Sequence, residues 1–165
     1  IPNTVQKGLK AISKLKPIFT TIHLSGGDDM QKISILKNNN KTHILGVTIL
    51  TSLDKKQTQK YYKEKNVNIL VKKFANYAKK NNLSGLVCSP LEIDIVRKEV
   101  GEEMILVVPG IRPKNKSKGK KDDQKRTLTP KEAINLGADF LVIGRPIIES
   151  KNPLETIKKI NQSIQ

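Results

Sequence analysis

Met104-Ile105-Leu106-Val107-Val108-Pro109-Gly110-Ile111-Arg112-Pro113 is an apolar run that stops at a Pro-Gly pair and passes at once to a cation. The run shows no alternation of polar and apolar residues, which is how a strand buried on both faces reads. Residues 18–24, 44–50, 83–88 and 140–143 have the same form: β-branched and apolar, short, and closed by small or polar residues. Between them lie segments of helical period. The clearest places Val67, Leu70, Val71, Phe74, Ala75 and Ala78 at i, i+3, i+4, i+7, i+8 and i+11, with Lys72, Lys73, Lys79 and Lys80 on the opposite side. Thr129-Pro130-Lys131-Glu132 supplies an N-cap, a proline at the first helical position and a glutamate at the third, and this helix ends at Gly137. Asn152-Pro153-Leu154-Glu155 opens a last helix in the same way, running towards Ile164.

Strand and helix therefore alternate, and crossovers of one hand make the sheet parallel. Two α/β architectures fit: part of a (βα)8 TIM barrel, or a doubly wound open sheet. A whole barrel takes about 250 residues, so five units in 165 residues match strands 4–8 of a barrel with their helices. The whole chain, 1–165, reads as a single domain. The Lys-rich stretch 114–121 reads as a mobile loop between the fourth run and its helix.

Composition narrows the function classes. Hydrophobic residues make up 36% of the chain, aromatics only 4%, and tryptophan is absent, so the core is aliphatic. The net charge is +16, carried almost wholly by lysine, with arginine only at 97, 112, 126 and 145. Nucleic-acid readers lean on arginine and stacking aromatics, so this charge reads as a solvated lysine surface rather than a nucleic-acid face. No apolar stretch approaches the roughly 20 residues that span a bilayer, which reads against a membrane partner. The lone Cys88 has no disulfide mate within the chain, which points to a reducing cytoplasm.

In parallel α/β folds chemistry gathers beyond the carboxyl ends of the strands. Those ends here are His23-Leu24-Ser25-Gly26-Gly27, Leu50-Thr51-Ser52, Cys88-Ser89-Pro90, Pro109-Gly110-Ile111-Arg112-Pro113 and Ile143-Gly144-Arg145-Pro146. Gly144 permits close backbone approach, and Arg145 offers a planar fork of donors suited to a phosphate. Barrels often hold a phosphate between the loops after strands seven and eight. On that assignment Arg112, Gln124, Gly144 and Arg145 converge on one dianion. His23 and His43 have no companions at metal-ligand or triad spacing, so no metal site is expected, and His23 reads as a structural or substrate-adjacent residue. Cys88 reads as a packed small hydrophobe rather than a nucleophile, Ser52 and Ser89 as turn and cap residues, and Ser25-Gly26-Gly27 as a strand-to-helix turn.

The ordered set Ile1-Pro2-Asn3-Thr4-Val5, Val47-Thr48-Ile49-Leu50-Thr51-Ser52, Gly85-Leu86-Val87-Cys88-Ser89, Pro109-Gly110-Ile111-Arg112-Pro113, Asp123-Gln124-Lys125-Arg126 and Val142-Ile143-Gly144-Arg145-Pro146 resembles the bacterial orotidine 5′-phosphate decarboxylase family. The resemblance implies a TIM barrel that converts orotidine 5′-phosphate to UMP in de novo pyrimidine biosynthesis, without metal or cofactor. It implies that Arg145 and the Gly144 amide hold the substrate's phosphate, with Gln124 closing from a loop that begins at Arg112. Thr51 would contact the pyrimidine. Ile1-Pro2-Asn3-Thr4 would follow the catalytic motif, with Ile1 and Thr4 lining the site of a neighbouring subunit in a homodimer. The family's Asp-x-Lys-x-x-Asp run directly precedes the Ile-Pro-Asn-Thr stretch, so the resemblance places the catalytic lysine just ahead of Ile1 and none of the catalytic residues within 1–165. The alternative is a catalytically dead relic that still binds nucleotide phosphate.

Overall fold

A computed structural model describes residues 1–36, 42–113 and 127–165. The elements alternate as the sequence pattern predicts: α1 (Pro2–Ser13), β1 (Phe19–His23), α2 (Asp28–Leu36), β2 (His43–Val47), α3 (Lys55–Tyr62), α4 (Val67–Lys80), β3 (Gly85–Val87), α5 (Ile93–Val100), β4 (Ile105–Pro109), α6 (Pro130–Asn135), β5 (Phe140–Val142), α7 (Arg145–Ile148) and α8 (Pro153–Ile164). All six stripe residues of α4, from Val67 to Ala78, are buried. The capping box of α6 forms, with the Thr129 hydroxyl accepting from the Glu132 amide and Glu132 accepting from the Thr129 amide. Gly137 takes a φ of 104° beyond that helix, a left-handed value that glycine tolerates.

The five strands form one sheet in the order β1-β2-β3-β4-β5, every pair parallel. This order decides between the two architectures. A doubly wound sheet reverses its strand order at a switch point and carries helices on both faces. Here each strand adds beside its predecessor, so right-handed crossovers leave every helix on one side. The sheet curls away from the helices: Phe19 on the first strand and Phe140 on the last meet edge to face, with centroids 5.0 Å apart. Phe19 also lies against His43, at 5.8 Å.

Register sorts the residues by face. Phe19, Thr21 and His23 share the concave face with His43, Leu45 and Val47, and then with Gly85, Val87, Ile105, Val107, Phe140 and Val142. The other face packs under the helices; Ile22, Ile44, Leu86, Leu106 and Val108 are buried there, with Thr20 and Leu141 half-buried on the two outer strands. The strands are therefore not buried on both faces, as their composition suggested. Thr21, His23, His43, Phe140 and Val142 are exposed on the concave side, because among the described residues no further strand covers it.

Gly85 lies where β3 and β4 approach most closely, and a Cβ there would run into the Ile105 carbonyl. The amino ends of β4 and β5 are tied by Arg97 of α5. Its Nη1 donates to the carbonyls of Gly101 (2.8 Å) and Met104 (2.9 Å), and its Nη2 donates to the Gly137 carbonyl and to Asp139 Oδ2 (2.9 Å). The same Asp139 oxygen accepts the Leu106 amide at 2.7 Å.

Candidate functional site

Each helix returns the chain to the starting end of the sheet, so all five strands deliver their carboxyl ends to one mouth. α1 precedes β1 and packs beside α2. Ile1, Pro2, Asn3 and Thr4 form the start of that helix, where the Ile1 carbonyl accepts the amides of Thr4 (3.1 Å) and Val5 (3.0 Å). Pro2 is half-buried, while Ile1, Asn3 and Thr4 are exposed, Ile1 at 88%.

Thr48 fixes the end of β2: its amide and its hydroxyl both donate to the Val87 carbonyl on β3, each at 3.1 Å. The chain then turns, with the Leu53 amide donating to the Leu50 carbonyl at 2.9 Å, and Thr51 sits half-buried inside that turn. Asp54 closes it by capping α3, in a reciprocal box with Gln57. This box was legible as an Asp-x-x-Gln spacing that the sequence reading did not use.

At the end of β3, Cys88 is 2% exposed, and burial, aided by the nearby Glu92 carboxylate, pushes its thiol up to about 12 while Arg97 pulls the other way. A thiol so held is not a nucleophile at neutral pH, which agrees with its reading as a packing residue. Ser89 caps the turn that follows, its amide donating to Glu92 Oε2 at 3.1 Å.

β4 ends at Pro109, and Gly110 turns the chain with a φ of 83°. Ile111 is fully buried and bridges to Leu128, and the Arg112 amide donates to the Leu128 carbonyl at 2.9 Å. This clasp closes the base of the loop predicted to carry Gln124. Gln124 itself and the Lys-rich stretch 114–121 lie outside the described residues. Arg112 is half-buried, with its Nη1 on the Ile111 carbonyl at 3.0 Å.

On the neighbouring strand β5, the chain passes through Gly144 into α7, which begins with the half-buried Arg145. The Gly144 carbonyl accepts the amides of Ile147 (2.9 Å) and Ile148 (3.1 Å). A Cβ at Gly144 would meet no atom of the described residues within 4 Å, in contrast to Gly85. Arg112 and Arg145 thus leave adjacent strands at the same mouth, and Thr51 leaves β2 on the same side. His23 ends β1 on the concave face, exposed and apart from His43 at the opposite end of the paired strand. Among the described residues no three His, Cys, Asp or Glu side chains gather into a metal-binding group. Nor is any described helix long and apolar enough to cross a membrane.

A curled parallel sheet with helices on its convex side and cationic, glycine-bearing loops at one mouth defines an enzyme-type βα-barrel fold, present here as five of its strands. Comparison with known proteins sharpens the assignment. Residues 1–160 match the model of the Orotidine 5′-phosphate decarboxylase / HUMPS family. The orotidine 5′-phosphate decarboxylase of Wolbachia pipientis subsp. Culex pipiens is 44% identical over 166 residues, spanning 99% of this chain and 71% of that protein. That of Dictyoglomus thermophilum is 38% identical over 174 residues, spanning 100% and 70%. The crystal structure of orotidine 5′-phosphate decarboxylase from Lactobacillus acidophilus superposes with a TM-score of 0.80 at 30% identity, covering all of this chain and 71% of that one. The chain belongs to the orotidine 5′-phosphate decarboxylase / HUMPS family.

Proposed function

We propose that the chain serves the decarboxylation of orotidine 5′-phosphate to UMP in pyrimidine biosynthesis, and that its own share of the work is to hold the substrate. The observation that carries this reading is the open space above Gly144 beside Arg145, one strand away from Arg112. Among the described residues no atom stands where a Cβ at Gly144 would go, which leaves room for a phosphate to lie on the Gly144 backbone. Arg145 would meet two phosphate oxygens with its fork, and Arg112 adds a second positive charge at the root of the loop that bears Gln124. Thr51, half-buried in the turn after β2, would contact the base of the nucleotide. The phosphate is remote from the carbon that loses CO2, so its binding energy orders and closes the site rather than stabilising the carbanion directly. Stabilising and protonating that carbanion takes a paired carboxylate and ammonium, the part that the resemblance gives to an Asp-x-Lys-x-x-Asp run.

The same reading makes residues 1–165 one domain of a cytoplasmic homodimer. Ile1 and Thr4 of one subunit would face the mouth of the other, and their exposure at the start of α1 supports this role.

The test is UMP binding by calorimetry to the 165-residue chain, with orotidine 5′-phosphate turnover assayed in a longer protein made by fusing an Asp-x-Lys-x-x-Asp segment of the family ahead of Ile1. Arg145→Ala is expected to weaken UMP about 100-fold, the loss of a charge-assisted pair worth roughly 2–3 kcal/mol, and to leave uridine binding unchanged. Equal losses for UMP and uridine, or a longer protein that folds and shows no turnover, would refute the proposal.

A further inference from the structure

Thr48 stands where β2 ends and is 2% exposed, too little for a ligand at the mouth to touch it. The last β2–β3 pair is Val47 with Val87. One residue further on, the Thr48 amide and the Thr48 hydroxyl both donate to the Val87 carbonyl, each at 3.1 Å. Stability alone does not call for the second bond. The amide already satisfies that carbonyl, and valine has the shape of threonine with no hydroxyl to desolvate. What the hydroxyl adds is direction. A β-branched side chain has few χ1 settings, and here its oxygen and its own amide are pinned to one atom of the neighbouring strand.

The turn that leaves this clamp carries the residue proposed to meet the base. Ile49 is buried, the Leu53 amide closes on the Leu50 carbonyl at 2.9 Å, and Asp54 ends the turn by accepting the Gln57 amide at 2.9 Å. Thr51 lies midway between the two fixed points, Thr48 and Asp54. We infer that Thr48 is a positioning residue for the nucleotide's base. Its clamp on Val87 sets where Thr51 stands, and so how well the mouth holds a pyrimidine already tethered by its phosphate. This rests on the proposed contact of Thr51 with the base. Such a contact must be held to within about 0.5 Å by the groups behind it, which a doubly bonded strand end provides. Arg112 and Arg145 leave β4 and β5, on the far side of β3 from the clamp, so the phosphate grip does not depend on it.

The test crosses two substitutions in the 165-residue chain, read by calorimetry with UMP and with ribose 5-phosphate, which has the phosphate and no base. Thr48→Val keeps the volume and removes the hydroxyl. It should weaken UMP about 5-fold, leave ribose 5-phosphate within about 2-fold, and move the urea midpoint by less than about 0.3 M. Thr48→Ser keeps the hydroxyl and removes a buried methyl. It should lower the urea midpoint more than Thr48→Val does, yet hold UMP within about 2-fold of the parent. In a Thr51→Ala background the loss from Thr48→Val should vanish, because the clamp acts through Thr51. Four results overturn the inference and leave the decarboxylase reading standing: a Thr48→Val chain that binds UMP like the parent, a loss shared equally by ribose 5-phosphate, a loss that persists in full in the Thr51→Ala background, or UMP affinities that follow the urea midpoint across the variants. A folded parent chain that binds neither UMP nor ribose 5-phosphate overturns both.

Discussion

Replacing Arg97 by Met should destabilise the fold by about 3 kcal/mol. The side chain is 9% exposed, and its guanidinium holds three backbone carbonyls and the Asp139 carboxylate together where β4 and β5 begin. Hydrogen bonds from a charged donor are worth roughly 1.5–3 kcal/mol each, but not all would be lost in full. Gly101 is exposed and its carbonyl can take up water, and the Asp139 side chain is 43% exposed, so its lost partner counts for less than in a sealed pair. Glu102, 84% exposed and 3.6 Å from Arg97 Nε, adds little. What remains is the buried Met104 carbonyl, the Gly137 carbonyl and a discounted ion pair, which together come to about 3 kcal/mol. With a urea dependence near 2 kcal/mol per molar for a domain of this size, the midpoint followed by circular dichroism should fall by about 1.5 M. Arg97→Lys keeps the charge without the fork and should lie midway. Because the staple sets the β4–β5 register, UMP affinity should fall in both variants although neither touches the mouth. A midpoint shift below about 0.3 M for Arg97→Met would show that the carbonyls find water at no cost, and would refute the reasoning.

Other consequences separate structural from functional positions. Gly144→Ala should change the urea midpoint by an amount equivalent to less than about 1 kcal/mol, since its Cβ meets no atom of the described residues, yet it should weaken UMP binding measurably by calorimetry. Gly85→Ala should do the reverse of the first part. Its Cβ collides with the Ile105 backbone, so the β3–β4 pair must open, at a cost of about 3 kcal/mol or more, read as a lowered melting temperature. Cys88 should resist iodoacetamide at pH 8 in the folded chain and react in urea. Its thiol is raised from 9.0 to about 12, so the folded state keeps a proton that the unfolded chain releases. The stability this contributes is whole below pH 9 and lost as pH climbs towards 12, and Cys88→Ala should remove that part of the alkaline dependence.

The fold was legible wherever a local pattern carries its own physics. All five strands fall on the predicted runs, and the α4 stripe, the Thr129 capping box and the Asn152 start of α8 are found as the spacing predicts. These are short-range signals in which periodicity, proline position and cap chemistry agree. Arg97 was invisible for the opposite reason. Its partners at 101, 104, 137 and 139 come together only after two strands have paired, and nothing around Arg97 in the sequence distinguishes it from a surface cation. The strand-end residues Thr51, Arg112, Gly144 and Arg145 were nameable because topology alone sends strand ends to one mouth; where Gln124 stands lies outside the described residues.

The concave face shows most clearly how sequence and structure differ in what they record. A sheet that meets water on one side alternates apolar with polar residues, and here the concave positions include Val47, Val87, Ile105, Val107, Phe140 and Val142. Aliphatic residues in that number suit a filled interior, where side chains from opposite strands interdigitate in layers. Yet in the folded chain these residues are half-buried or exposed. The two polar exceptions nearest the mouth, Thr21 and His23, lie on β1, an edge strand that would turn its concave side chains towards any ligand held there. The composition of this face thus suits a filled interior, which the five strands of the described residues do not by themselves provide.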